Sequence, residues 1–180
     1  MYQMNRMLMK CLLQAHELLI EERNEIMARS NVITIEDTKL ILRNFAGKPD
    51  KYTPEGKRSF GVLISPETAE EFEEAGIPVK YLQPRHDEDE PIPWVKVKLN
   101  MDRENPPKIF TDRAGEKNQL DSSTVSILDY ADIDSASMQL SIYEWEFGGK
   151  SGKALYLQTL VCFLNEDDFL SKYDLSNVGD

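Results

Sequence analysis

The sequence predicts a mainly β protein: a small, partly open β-barrel with two short internal helices and an α-helix ahead of it. Three observations carry that expectation. From Val32 onward apolar residues recur with a period of two, glycines and prolines break the runs at short intervals, and about six runs have strand length. A chain of 180 residues makes one domain, or one domain with appendages, and buries a core without metal or disulfide staples.

Met1 to Arg29 reads as a helix. Met4, Leu8, Leu12, Ala15, Leu19 and Ile26 recur at helical spacing, and Met7, Cys11 and Leu18 widen the stripe. Such a helix serves self-association or docks on the barrel. A second expectation stands beside it. The run Glu21 to Ile26 can be encoded by purine-rich codons resembling a bacterial ribosome-binding site, which would put the true start at Met27. The stretch is too polar for a transmembrane helix and no signal-cleavage pattern follows it. Cys11 and Cys162 form no C-x-x-C pair, so reduced thiols in a cytoplasm are expected.

Val32–Phe45 is the first strand, with Glu36-Asp37 a bulge or bend in its middle. Arg58–Ile64 is the second. Ser65 caps a helix that has Pro66 in its first turn and Gly76 at its C-terminal cap. Pro78–Leu82 is a short extended piece, and Gln83–Pro91 a charged loop. Ile92–Asn100 alternates most cleanly: Val95, Val97 and Leu99 suit the core, whereas Trp94, Lys96 and Lys98 face the other way. Lys108–Arg113 is another strand, and Asp121-Ser122-Ser123 caps a short helix ending near Ala131. Ala136–Phe147 and Lys153–Leu164 are long strands joined by a hairpin loop at residues 148–152. The organisation is a helix over 1–29, a barrel over 30–165 and a tail over 166–180 with five acids and one lysine. Among small barrels, the partly open OB-fold matches this count and binds oligonucleotides on one strand face.

Charge is unevenly placed. The chain carries −11, but Lys39 to Phe60 holds six basic and two acidic residues, so that segment is +4 and the remainder −15. Gly47, Pro49, Pro54 and Gly56 make it a loop between strands. Lys48, Lys51, Lys57 and Arg58 lie there among Phe45, Tyr52 and Phe60. Cations that track phosphates, interleaved with rings on which bases stack, are what a single-strand binder needs, and each stacked base contributes about 1–3 kcal/mol. The candidate set is Arg43, Lys48, Lys51, Tyr52, Lys57, Arg58, Trp94, Lys96, Lys98, Lys108, Phe110, Tyr143, Trp145 and Lys153. Trp94 leads it because Lys96 and Lys98 share its face, whereas Phe60 suits the core. Nothing supports catalysis or a cofactor. His16 and His86 are the only histidines, no zinc spacing, phosphate loop or nucleophile elbow exists, and Gly148-Gly149-Lys150-Ser151-Gly152 joins two strands instead of opening a helix. Asp87 to Glu90 are consecutive acids, which favours a solvated loop over a metal site.

Asn44-Phe45 with Gly47, Tyr52 to Phe60, Val79 to Arg85, Trp94 to Lys98, Pro106 to Ile109, Tyr143-Glu144-Trp145 and Gly149 to Leu157 follow one another in a characteristic order. In that order the chain resembles phage-encoded single-stranded DNA-binding proteins of the OB-fold type. The resemblance covers about Val32 to Tyr173. It implies sequence-independent binding of single-stranded DNA in phage replication or recombination, and DNA over RNA rests on it alone. In bacterial single-strand binders an acidic tail with an apolar tip recruits replication proteins. Here the tail ends Val178-Gly179-Asp180 without that tip, which departs from the pattern for recruiting replication or recombination proteins; such a tail either competes with DNA for the basic groove or is simply solvated. Two rivals remain on the sequence alone. One is an acidic phage protein that mimics DNA and inhibits a host defence nuclease; the other is a carboxylate-dependent nuclease.

Overall fold

The computed structural model describes residues 31–51, 53–83 and 90–165. The elements are β1 (Val32–Thr38), β2 (Leu40–Asn44), β3 (Arg58–Leu63), α1 (Pro66–Glu74), β4 (Val79–Leu82), β5 (Ile92–Leu99), β6 (Lys108–Arg113), β7 (Glu116–Leu120), a 3-10 helix (Val125–Asp129), β8 (Ile133–Phe147) and β9 (Lys150–Leu164). The expected N-terminal helix, the acidic tail, Tyr52 and the acidic run at 84–89 lie outside the described residues.

One sheet runs in the order β1-β8-β9-β5-β3-β2. Its two ends are sequence neighbours, because only Lys39 separates β1 from β2. The sheet therefore curls round without a ladder between its ends, which is the partly open, OB-fold-like barrel expected from the strand count. The bend falls where Glu36-Asp37 were expected to bulge: pairing with β8 slips between Ile35 and Thr38, and Asp37 adopts φ 49°. The hydroxyl of Thr38, which is buried, donates to the Leu63 carbonyl, so the bend leaves that group satisfied.

Period-two alternation builds the core. Val95, Val97 and Leu99 point inward from β5 as expected and meet Phe60 and Val62 of β3 and Leu140, Leu155, Leu157 and Leu160 of the long hairpin. Phe45 and Phe60 stack at 5.0 Å between ring centroids, so both belong to the interior. Each such side chain contributes about 1.5–3 kcal/mol by burial. The free thiol of Cys162 is buried too, which pushes its pKa up to about 12 and leaves it protonated at neutral pH.

Helix α1 plugs one end of the barrel with Ala69 and Phe72. Ser65 Oγ accepts from Thr68 N at 3.1 Å, Pro66 opens the first turn, and Gly76 takes φ 74° at the other end. Ile77 N then donates to Phe72 O at 2.8 Å and Gly76 N to Glu73 O at 3.0 Å, the paired bonds of a Schellman cap.

The structure departs from the sequence reading in several places. The second internal helix is a five-residue 3-10 turn. Asp121 still opens it as expected. Its Oδ1 accepts from the backbone and hydroxyls of Ser123 and Thr124, which holds its pKa down near 2. Glu116–Leu120 forms the unforeseen strand β7. Its run of polar residues carries no apolar alternation because it is an exposed outer strand paired only to β6. The five-residue loop expected at 148–152 is shorter. Gly148 and Gly149 alone make the turn, at φ 60° and 75°, and Lys150 already pairs with Phe147.

Candidate nucleic-acid interface

Residues paired across a ladder project to the same side of a sheet, so the register lays out one face. Ser59 and Gly61 of β3 pair with Lys98 and Lys96 of β5. Lys98 then pairs with Tyr156 of β9. Tyr156 pairs with Ser141 of β8, Ala154 with Tyr143, and Gly152 with Trp145. Farther along β9, Thr159 and Val161 pair with Lys108 and Phe110 of β6. Serine, glycine and alanine between longer side chains leave a trough, with lysines along one wall and rings along the floor and the other wall.

Two adjoining depressions form this trough. One, of about 440 Å³, lies between the β2–β3 loop and the end of β5, where Lys57, Arg58, Lys96, Lys98 and Tyr156 line it. The second, of about 200 Å³, shares Lys96 and Lys98 and continues to Lys80 and Trp145. Among the described residues lining the two, Asp102 is the one acid. The acids of this region sit elsewhere: α1 carries Glu67, Glu70, Glu71, Glu73 and Glu74. The trough is therefore locally cationic although the whole chain carries −11, and salt screens charges farther apart than roughly 10 Å.

Aromatic geometry in the trough is specific. Lys98 Nζ lies 5.7 Å from the Tyr156 ring centroid. Tyr143 meets Tyr156 edge-on at 5.8 Å and 80°. Trp145 lies against Gly152, where a Cβ would stand 2.7 Å from Cζ2 of the indole. Only glycine at 152 lets that ring lie across β9. Tyr143 and Trp145 are 56% and 39% exposed, so both keep open ring surface.

Trp94 is a correction. It is on the expected face but only 8% exposed, because it lies over Gly61 beside Ile41 and Lys80 Nζ sits 5.2 Å from its ring. An open stacking platform there is not what the fold provides. Strand β4, which the sequence showed as a short extended piece, pairs with β5 and brings Lys80 opposite Trp94.

The remaining candidates divide. Lys57, Arg58, Lys96, Lys98 and Trp145 line the trough, Tyr143 borders it against Tyr156, and Lys108 and Phe110 extend its face, Phe110 half-buried. Arg58 also ties the β3 end to the 3-10 segment, Nη2 donating to Ser122 O at 3.3 Å. Arg43 turns away and donates from Nη1 to Ala131 O at 2.8 Å, fixing β2 to the segment ahead of β8. Lys153 lines the second depression at its α1 end, where it is also 3.2 Å from Glu144 and near Gly76 at the helix C-terminus, a place that favours a cation. Lys48 and Lys51 lie on the β2–β3 loop outside the two depressions. Tyr156 and Lys80 were missed. For Tyr156 a signal existed: between inward Leu155 and Leu157, alternation puts it on the outer face.

The whole of this geometry falls inside one sequence family. Residues 23–178 match the family described as "Putative phage ssDNA-binding domain". The chain belongs to this phage single-stranded DNA-binding family. No curated protein matches its sequence. Among solved structures, it is similar to the single-stranded DNA-binding protein from bacteriophage Enc34 in complex with ssDNA. That match has a TM-score of 0.53 at 11% identity and covers 78% of this chain and 90% of the other. A C-terminal truncation of the same Enc34 protein matches with a TM-score of 0.51 at 11% identity, over 78% and 90% of the two chains. The Enc34 protein without that truncation gives 0.50 at 12% identity, over 84% and 92%. At such identities the likeness establishes a shared fold and carries no residue roles.

Proposed function

We propose that this member of the phage family binds single-stranded DNA without regard to sequence and covers it during phage replication or recombination, as a binder and not a catalyst, in the host cytoplasm. The observation that carries the reading is the trough of Lys57, Arg58, Lys80, Lys96 and Lys98 over Tyr156, with Tyr143 and Trp145 beside it. Lysines hold phosphates as point charges and read no base. Rings accept any base by stacking, so the combination favours single strands whose bases are unpaired. A duplex keeps its bases stacked inside and offers the rings nothing. The Enc34 protein similar to this chain in fold has been solved with ssDNA, which agrees with the reading. Lys153, paired to Glu144, braces the β8–β9 hairpin near its turn in this account, and Arg43 is a structural tie.

The two tryptophans supply a test. Trp145 is 39% exposed in the trough and Trp94 8% exposed beneath Lys80. Adding oligothymidylate should quench tryptophan emission, W94F should keep that response, and W145F should lose most of it. Full quenching in W145F would remove Trp145 from the interface.

A further inference from the structure

Outside the trough the molecule carries a second exposed ring held beside a cation. Tyr130 follows the 3-10 helix and is 75% exposed. Its hydroxyl accepts from Lys48 Nζ, and that ammonium lies 5.0 Å from the ring centroid. Tyr130 N donates to Ile127 O at 3.1 Å. Ile127, in the same turn, is 49% exposed. The hydroxyl–ammonium bond raises the pKa of Lys48, which is therefore charged at neutral pH.

The position of this pair relative to the trough is fixed by the β2–β3 loop. Gly56 N donates to Gly47 O at 2.9 Å, closing the loop at a neck. At that neck a Cβ on Gly47 would lie 3.2 Å from Arg58 Cγ and from the Gly56 backbone, so the two sides touch. Gly56, Lys57 and Arg58 line the trough on one side of the neck, and Lys48 follows Gly47 on the other. The 3-10 segment is tied to the same place. Asp129 accepts from Phe45 N at 2.6 Å and from Ala46 N at 3.0 Å, so Tyr130, the next residue, cannot drift from the loop. Lys48 is also tied to Asn44, which pairs with Ser59 of the trough lining, so the pair borders the trough across the neck.

We propose that Tyr130 and Lys48 form a second nucleotide subsite, in which a base of the same single strand stacks on Tyr130 and its phosphate meets Lys48 after the strand crosses the neck of the β2–β3 loop. This subsite rests on the trough being the primary site, and it sets the length of strand that the protein covers. Short strands fill the trough alone. Only longer ones reach the subsite.

Affinity as a function of strand length tests this. Wild type, Y130A, Y130F and K48Q are titrated with labelled oligothymidylates of about 6, 12, 18 and 30 nucleotides, bracketing the ~4–16 nucleotides that an OB-type domain covers. Y130A should match wild type on the shortest strand and bind the long ones roughly five- to tenfold more weakly, as expected for one exposed stacking ring. Y130F, which keeps the ring, should stay within about twofold of wild type. K48Q should lower the salt dependence on long strands only. Equal affinity of Y130A and wild type at every length would overturn the subsite, and so would an equal loss at every length. Wild type that binds no strand at low salt would instead overturn the trough itself.

Discussion

Replacing Lys96 and Lys98 together by glutamate should weaken binding to a single strand by about a hundredfold or more. Both side chains are exposed on β5, both line each of the two depressions, and Lys98 stands over Tyr156. A charge-assisted bond contributes about 1.5–3 kcal/mol, and reversal adds repulsion to the loss of two such bonds. Each phosphate contact to a single strand also contributes about 0.7 to the slope of log affinity against log salt, so that slope should fall by roughly 1.4. Fluorescence anisotropy across a salt series reads both numbers. Because neither lysine is buried, the thermal midpoint should stay close to wild type. Unchanged affinity and slope would mean that the strand does not lie over β5.

The second large effect separates platform from core. Trp94→Ala removes a ring packed over Gly61 and should cost about 3–5 kcal/mol of stability, as large-to-small changes at buried aromatics do. Tyr156→Ala should weaken binding roughly five- to 150-fold, through about 1–3 kcal/mol of lost stacking, and cost less stability because its ring is only half-buried. Urea unfolding with intrinsic emission, followed by titration of the folded variants, distinguishes the two. If folded W94A loses as much affinity as Y156A, Trp94 takes part in binding and the burial argument fails.

Much of this was legible in the sequence, for identifiable reasons. Strand alternation is a local signal, so Val95, Val97 and Leu99 inward and Lys96 and Lys98 outward could be read directly. The caps of α1 were equally local: Ser65, Pro66 and Gly76 each act within a few residues of themselves. What sequence could not supply was which strand lies beside which. Trp94 follows the same alternation as Lys96, yet β4 brings Lys80 across its ring. Lys153 and Arg43 look like any other cations in a list, and only the positions of α1 and of the segment at Ala131 give them partners. Tyr130 was invisible for a similar reason, since Lys48 precedes it by most of a hundred residues and the Gly47–Gly56 neck brings the trough beside them both. The basic character of Lys39 to Phe60 was correctly informative, although Phe45 and Phe60 prove to stack inside while the loop between them borders the trough.

The charge layout also explains how an acidic protein would hold a polyanion. The five glutamates of α1 lie outside both depressions, and among the described residues lining the trough Asp102 is the one acid. A DNA mimic needs contiguous acids on its working face, and the face built by β3, β5 and β9 carries lysines.

The most direct measurement is a fluorescence-anisotropy titration of a labelled single strand of about thirty nucleotides, long enough to exceed one domain's footprint. Unlabelled single-stranded and duplex competitors are run at low and moderate salt. The account predicts tight binding that weakens steeply with salt and is displaced by single strands but not by an equal mass of duplex. No binding at low salt, or equal displacement by duplex, would contradict it.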